Sequence, residues 1–136
     1  MQLRTFCKCL VVAGTLLIWL IKFLIRPYLH PTGTTGFLLG IAPNLLGSFL
    51  VPFGAYWLFT HPYFADGRLL RYSFFADMRM VCLGGFGLLV VNEYLQKIPV
   101  FGRTFDYFDI VSSAVGLLFS YYCISALQRR QALALG

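Results

Sequence analysis

Long apolar runs separated by short polar segments dominate this chain. Four such runs cover about residues 6–25, 36–60, 74–96 and 107–127. A helix needs about 20 mainly apolar residues to cross the hydrocarbon core of a bilayer, and every run reaches that length. The pattern predicts an all-α polytopic membrane protein, with four transmembrane helices in one bundle and a single membrane domain over residues 1–136.

Prolines and charges divide this pattern. Arg26 and Pro27 follow the first run and are expected to close it. The second run has no ionisable residue but contains Pro43 and Pro52. A membrane helix tolerates such prolines when neighbouring groups satisfy the backbone carbonyls that have lost a donor.

The composition supports a membrane protein. Hydrophobic residues make up 59% of the 136 residues and charged residues only 12%, whereas a typical soluble domain has roughly 25% charged residues. So short a chain exposes much of its surface even when folded. The composition therefore disfavours a soluble enzyme, a disordered tail, a disulfide-stapled secreted domain and a nucleic-acid reader.

The distribution of lysine and arginine predicts the orientation. Four spans place both termini at one end of the bundle, together with the loop near residues 61–73. That end holds seven basic residues and the opposite end four: Arg4, Lys8, Arg68, Arg71, Arg79, Arg129 and Arg130 against Lys22, Arg26, Lys97 and Arg103. Basic residues are enriched on the cytoplasmic side of membrane proteins, so both termini are expected in the cytoplasm.

Small residues recur at helical spacing and predict how the spans pack. Helices in lipid associate through close contact of small residues and through interhelical hydrogen bonds. We expect the second, third and fourth helices to meet through small faces, formed by Gly40, Gly47 and Gly54, by Gly84, Gly85 and Gly87, and by Ser112, Gly116 and Ser120.

Three of the five acidic residues lie between positions 92 and 113. Glu93 shares a helix face with Gln96 at the end of the third span, and Asp106 shares one with Asp109 at the start of the fourth. The short connection over residues 97–105 makes these helices antiparallel neighbours. The polar groups should therefore face one another near the outer surface, with Arg103 as their counter-ion.

Two interpretations of this cluster stay open. Aspartates at the start of a helix cap free backbone N–H groups. Arg103 could also form an ion pair with Glu93 or Asp106 that only stabilises the hairpin of the third and fourth helices. Ionisable residues at membrane depth are costly, however, and usually mark a functional site. Under the functional interpretation the ligand-binding residues are Glu93, Gln96, Arg103, Asp106, Asp109, Asn92, Ser113 and Asn44. For Asn44, the alternative is a hydrogen bond between helices.

The same residues carry a family resemblance. The order Glu93-x-x-Gln96, then Arg103-x-x-Asp106-x-x-Asp109, then Gly116, resembles the signature of the VanZ-like family over about residues 92–119. That family comprises short bacterial membrane proteins of four or five spans, and its prototype is associated with resistance to the glycopeptide teicoplanin. The resemblance implies a multi-pass protein of the bacterial cell (inner) membrane.

The functional expectation is a cleft that binds or modifies an amphiphilic envelope molecule, such as a lipid headgroup, a lipid-linked cell-wall precursor or a lipoglycopeptide. Whether covalent chemistry occurs is left open. The alternatives are an oligomeric pore or membrane-perturbing effector, with the acidic cluster lining a cation path, and an accessory subunit without chemistry. No phosphate-cradling loop or metal-binding sequence motif is present, so no cofactor or metal is expected. The expected partners are membrane lipids or the envelope molecule and no nucleic acid, with a homo-oligomer left open.

Overall fold

The structure is a computed structural model that describes residues 2–30, 32–60, 77–95 and 106–135. These residues are almost entirely helical, in four long helices: α1 (Leu3–Leu29), α2 (Gly33–Phe59), α3 (Met78–Leu95) and α4 (Tyr107–Leu135). Each is long and apolar enough to cross a membrane. The prediction of an all-helical protein is confirmed for the described residues, as is the prediction of four helices long and apolar enough to span a membrane.

The first helix continues past the residues that were expected to end it. The helix reaches Leu29 and ends where His30 adopts a left-handed conformation, with φ of 41°. Just before Pro27, one turn is π-helical, and the Arg26 N–H donates to the carbonyl of Ile21. A proline ring crowds the preceding turn of an α-helix, and the wider π turn accommodates Pro27 without ending the helix.

The second helix lies at the centre of the bundle and contacts the three others. Its glycine stripe faces α1: a Cβ atom at Gly47 would lie 4.0 Å from Ile18, and one at Gly54 would lie 3.8 Å from Val11. We expected this stripe to meet the third and fourth helices. That expectation was wrong, because α2 turns a different face towards α4.

The helices α2 and α4 approach each other closely at Gly116. A Cβ atom built there would lie 2.5 Å from the Leu45 carbonyl oxygen and would also collide with the hydroxyl of Ser48. Ser112 and Ser120 are buried on the same stripe of α4. The small face predicted for the fourth helix therefore does form a tight helix contact.

A buried hydrophobic cluster joins all four helices at one end of the bundle. It contains the first turns of α1 and α3 and the second halves of α2 and α4, through Leu3, Cys7, Phe53, Met78, Val81 and Ile124. We call this the terminal end, because α1 begins there and the second half of α4 lies there. The opposite end contains the last turn of α3 and the first turn of α4.

Candidate functional site

At the opposite end, a buried carboxylate connects α3 to α4. Glu93 lies in the last turn of α3 and only 5% of its surface is exposed. Its Oε1 accepts a hydrogen bond from the backbone N–H of Asp106, 3.3 Å away. The antiparallel arrangement expected from the short connection thus brings Glu93 and the start of α4 into direct contact.

Asp106 caps the first turn of α4. Its Oδ1 accepts from the backbone N–H of Phe108 at 2.9 Å, and its carbonyl accepts from the N–H of Asp109 at 3.2 Å. A carboxylate here satisfies a free backbone donor and interacts favourably with the helix dipole. Capping therefore accounts for one of the three acids, as one of the two interpretations predicted.

Asp109, Ser112 and Ser113 lie on the inner side of the first two turns of α4. Asp109 is half-buried, while Ser112 and Ser113 are buried. The Ser112 hydroxyl donates to the carbonyl oxygen of Asp109 at 3.0 Å. This hydrogen bond within the helix satisfies Ser112 locally. We call Glu93, Asp106 and Asp109 the carboxylate site.

The other predicted site residues are placed less uniformly. Asn92 is exposed, on a different face of α3 from buried Glu93, and Asn44 is half-buried on α2. Gln96 and Arg103 lie outside the described residues, so their part in the site stays a prediction.

An aromatic contact joins α2 to the carboxylate site. The rings of Phe37 and Phe108 meet edge to face with centroids 5.1 Å apart, a preferred aromatic geometry. Phe108 belongs to the turn that Asp106 caps. The start of α2 therefore packs beside the acids, and three helices fix the position of this turn.

Sequence reasoning did not foresee the role of Arg26. Its Nε and Nη2 donate to the carbonyl oxygens of Leu39 and Gly40, at 2.9 and 2.8 Å. Pro43 has no N–H, so the Leu39 carbonyl lacks its usual donor four residues later. Arg26 supplies that donor. The sequence did contain a signal for this contact. Pro43 lies inside the second span, and Arg26 lies at a similar depth on the neighbouring first helix.

The carboxylate site favours ligands that donate hydrogen bonds or carry positive charge. Ionised carboxylates only accept hydrogen bonds, and charge-assisted bonds are the stronger ones. Within the described part of the chain, no three His, Cys, Asp or Glu side chains are grouped so that they could hold a metal ion. Hydroxyl, amine or amide groups of an organic ligand fit this chemistry.

Comparisons of the chain with protein-family models, with curated proteins and with solved structures give no match.

Proposed function

We propose that the chain is a VanZ-like integral membrane protein whose carboxylate site, with Gln96 and Arg103, binds or modifies the polar part of an amphiphilic envelope molecule. The observation that carries the proposal is buried Glu93, held against the backbone of Asp106 at the end of an apolar bundle. A lipid with an amine or hydroxyl headgroup, a lipid-linked cell-wall precursor and a lipoglycopeptide all combine an apolar part with hydrogen-bond donors.

Capping alone is a weaker explanation for Glu93 than for Asp106. The Asp106 N–H needs only one acceptor, and a neutral glutamine would provide it. Burying a carboxylate costs more than burying an amide. An ionisable side chain buried in an apolar membrane bundle usually marks a functional site, which supports a role in binding.

The proposed orientation places both termini on the cytoplasmic side of a bacterial inner membrane and the carboxylate site on the outer side. The supporting argument is the excess of lysine and arginine at the terminal end. A reporter enzyme that is active only outside the cytoplasm, fused after Gly136, should stay inactive. Activity of that fusion would contradict this orientation and favour the opposite one.

The binding proposal is tested with Glu93→Gln and Asp109→Asn, which remove charge but keep a hydrogen-bond acceptor. Asp77→Asn is the matched control, because Asp77 caps the first turn of α3 at the terminal end and asparagine also caps well. The probe is teicoplanin, with binding measured on the protein in nanodiscs and susceptibility measured in a host that expresses it.

We expect teicoplanin binding to fall at least ten-fold in both site variants and to be unchanged in Asp77→Asn. Equal binding by all variants, with normal expression and insertion, would contradict a ligand role for these acids. Cation conductance in liposomes that is lost in Glu93→Gln would instead favour the pore alternative.

A further inference from the structure

A second site lies at the terminal end, away from the carboxylate site. A groove of about 540 Å³ runs between α3 and α4 and opens at the surface of the bundle. We call it the α3–α4 groove. Its lining is apolar except at one end: Cys82, Leu83, Phe86, Ala114, Leu117 and Leu118, closed by Arg79 and Tyr121.

A second cavity adjoins the polar end of the groove. This cavity, of about 340 Å³, shares Arg79 and Tyr121 with the groove and adds Asp77, Met78, Ser125, Gln128 and Arg129. We call it the arginine pocket. An apolar groove beside a polar pocket matches the polarity of an amphiphile.

Hydrogen bonds orient Arg79 at the junction of these two cavities. Its Nε donates to the Tyr121 hydroxyl at 3.2 Å, and within the described residues no further hydrogen bond from this guanidinium is present. The carboxylate of Asp77 accepts from the Arg79 backbone N–H at 2.9 Å as a helix cap. The two Nη groups of Arg79 can therefore bind an anionic oxygen, and guanidinium groups are well suited to phosphate.

The groove is long enough to hold the upper part of an acyl chain in one leaflet. From Arg79 to Phe86 the groove extends about 10 Å along α3, at about 1.5 Å per residue, against about 15 Å for half of the hydrocarbon core. Leu83 and Leu118 are more than half exposed at its edges, so a chain could enter sideways from the bilayer.

We propose that the α3–α4 groove and the arginine pocket bind one anionic phospholipid of the leaflet at the terminal end. The first acyl carbons lie along Leu83 and Leu118, and the phosphate is held by Arg79 and Arg129. Charge complementarity identifies the occupant: two arginines outnumber the single carboxylate of Asp77 in the pocket. This site is independent of the proposed function, because it lies at the other end of the bundle.

The test uses photoactivatable phospholipids whose reactive group is on an upper acyl carbon. Phosphatidylglycerol and phosphatidylcholine are compared at equal mole fraction in nanodiscs that hold the full-length protein, and labelled peptides from α3 and α4 are quantified. We expect phosphatidylglycerol to label the groove at least five-fold more than phosphatidylcholine. Arg79→Gln should abolish this preference and Arg79→Lys should retain part of it.

Two matched pairs of variants control the result. Leu83→Trp fills the groove, whereas Leu88→Trp changes a similarly exposed leucine of α3 (66% and 73% exposed) that does not line it. Arg129→Gln removes a pocket arginine, whereas Arg130→Gln removes its neighbour outside the pocket. Labelling should fall several-fold only in Leu83→Trp and Arg129→Gln, with helical content and gel-filtration profile unchanged in all four.

Two results would overturn the proposal. In the first, both lipids label the groove equally, and neither Arg79→Gln nor Arg79→Lys changes the labelling. The groove would then be ordinary lipid-facing surface. The other is concentration-dependent crosslinking of two chains through the groove, because a second copy would then occupy it.

Discussion

Substitution of Gly116 by alanine tests whether direct contact between α2 and α4 determines the stability of the bundle. The added methyl group would begin 2.5 Å from the Leu45 carbonyl oxygen, 3.1 Å from the Phe49 nitrogen and in collision with the Ser48 hydroxyl. Two of these three atoms belong to the backbone of α2, so a change of side-chain rotamer cannot relieve the overlap.

The expected cost follows from this geometry. To lengthen the contact with Leu45 from 2.5 Å to an ordinary 3.4 Å, the two helices must separate locally by about 0.9 Å. A gap of that size removes a substantial fraction of the dispersion energy between the surrounding atoms, and overpacking in a core costs about 1–3 kcal/mol. Alanine recovers up to about 1 kcal/mol through its higher helix propensity. The two contributions together lead us to expect that Gly116→Ala lowers the free energy of unfolding by up to about 3 kcal/mol, with a central value of about 1.5 kcal/mol.

The measurement is reversible unfolding in mixed micelles with increasing denaturing detergent, followed by circular dichroism. Gly87→Ala is the matched control, because a Cβ at Gly87 has no neighbouring atom within 4 Å. It should be neutral or stabilising by up to about 1 kcal/mol. If both variants change stability in the same direction and by the same amount, the contact at Gly116 does not limit the approach of the helices.

Three further predictions concern other contacts. Arg26→Gln should lower the free energy of unfolding by about 1–3 kcal/mol, because a carbonyl left without a donor by Pro43 loses its partner. The loss should be smaller in a Pro43→Ala background, measured by the same unfolding assay as a double-mutant cycle. Asp106→Ala should cost about 1 kcal/mol through loss of the helix cap while Asp106→Asn retains most of the stability, and equal losses would contradict capping. In detergent, a thiol reagent should modify exposed Cys9 well before buried Cys7, as mass spectrometry of the two peptides would show, and simultaneous modification would contradict the packing at the terminal end.

The sequence predicted the features that depend on local composition. Run length and the scarcity of charge indicated four membrane-spanning helices, because a bilayer demands long apolar segments whatever their tertiary contacts. The short connection between the third and fourth spans also indicated that Glu93 and Asp106 would be neighbours. Their hydrogen bond agrees with that proximity, whereas the ligand-binding role of the acids stays a proposal.

Only the tertiary structure decided which helix faces meet. Lipid is as apolar as a protein core, so an apolar helix such as α2 has no polar side to reveal its orientation. The sequence alone therefore could not tell that Gly47 faces α1 while Ser48, one position later, faces Gly116 of α4. The pairing of Arg26 with the carbonyls before Pro43, and the groove that ends at Arg79, also depend on how the helices rotate against one another. Hydrophobic pattern determined that the helices exist, and close packing of small and polar residues determined how they are arranged.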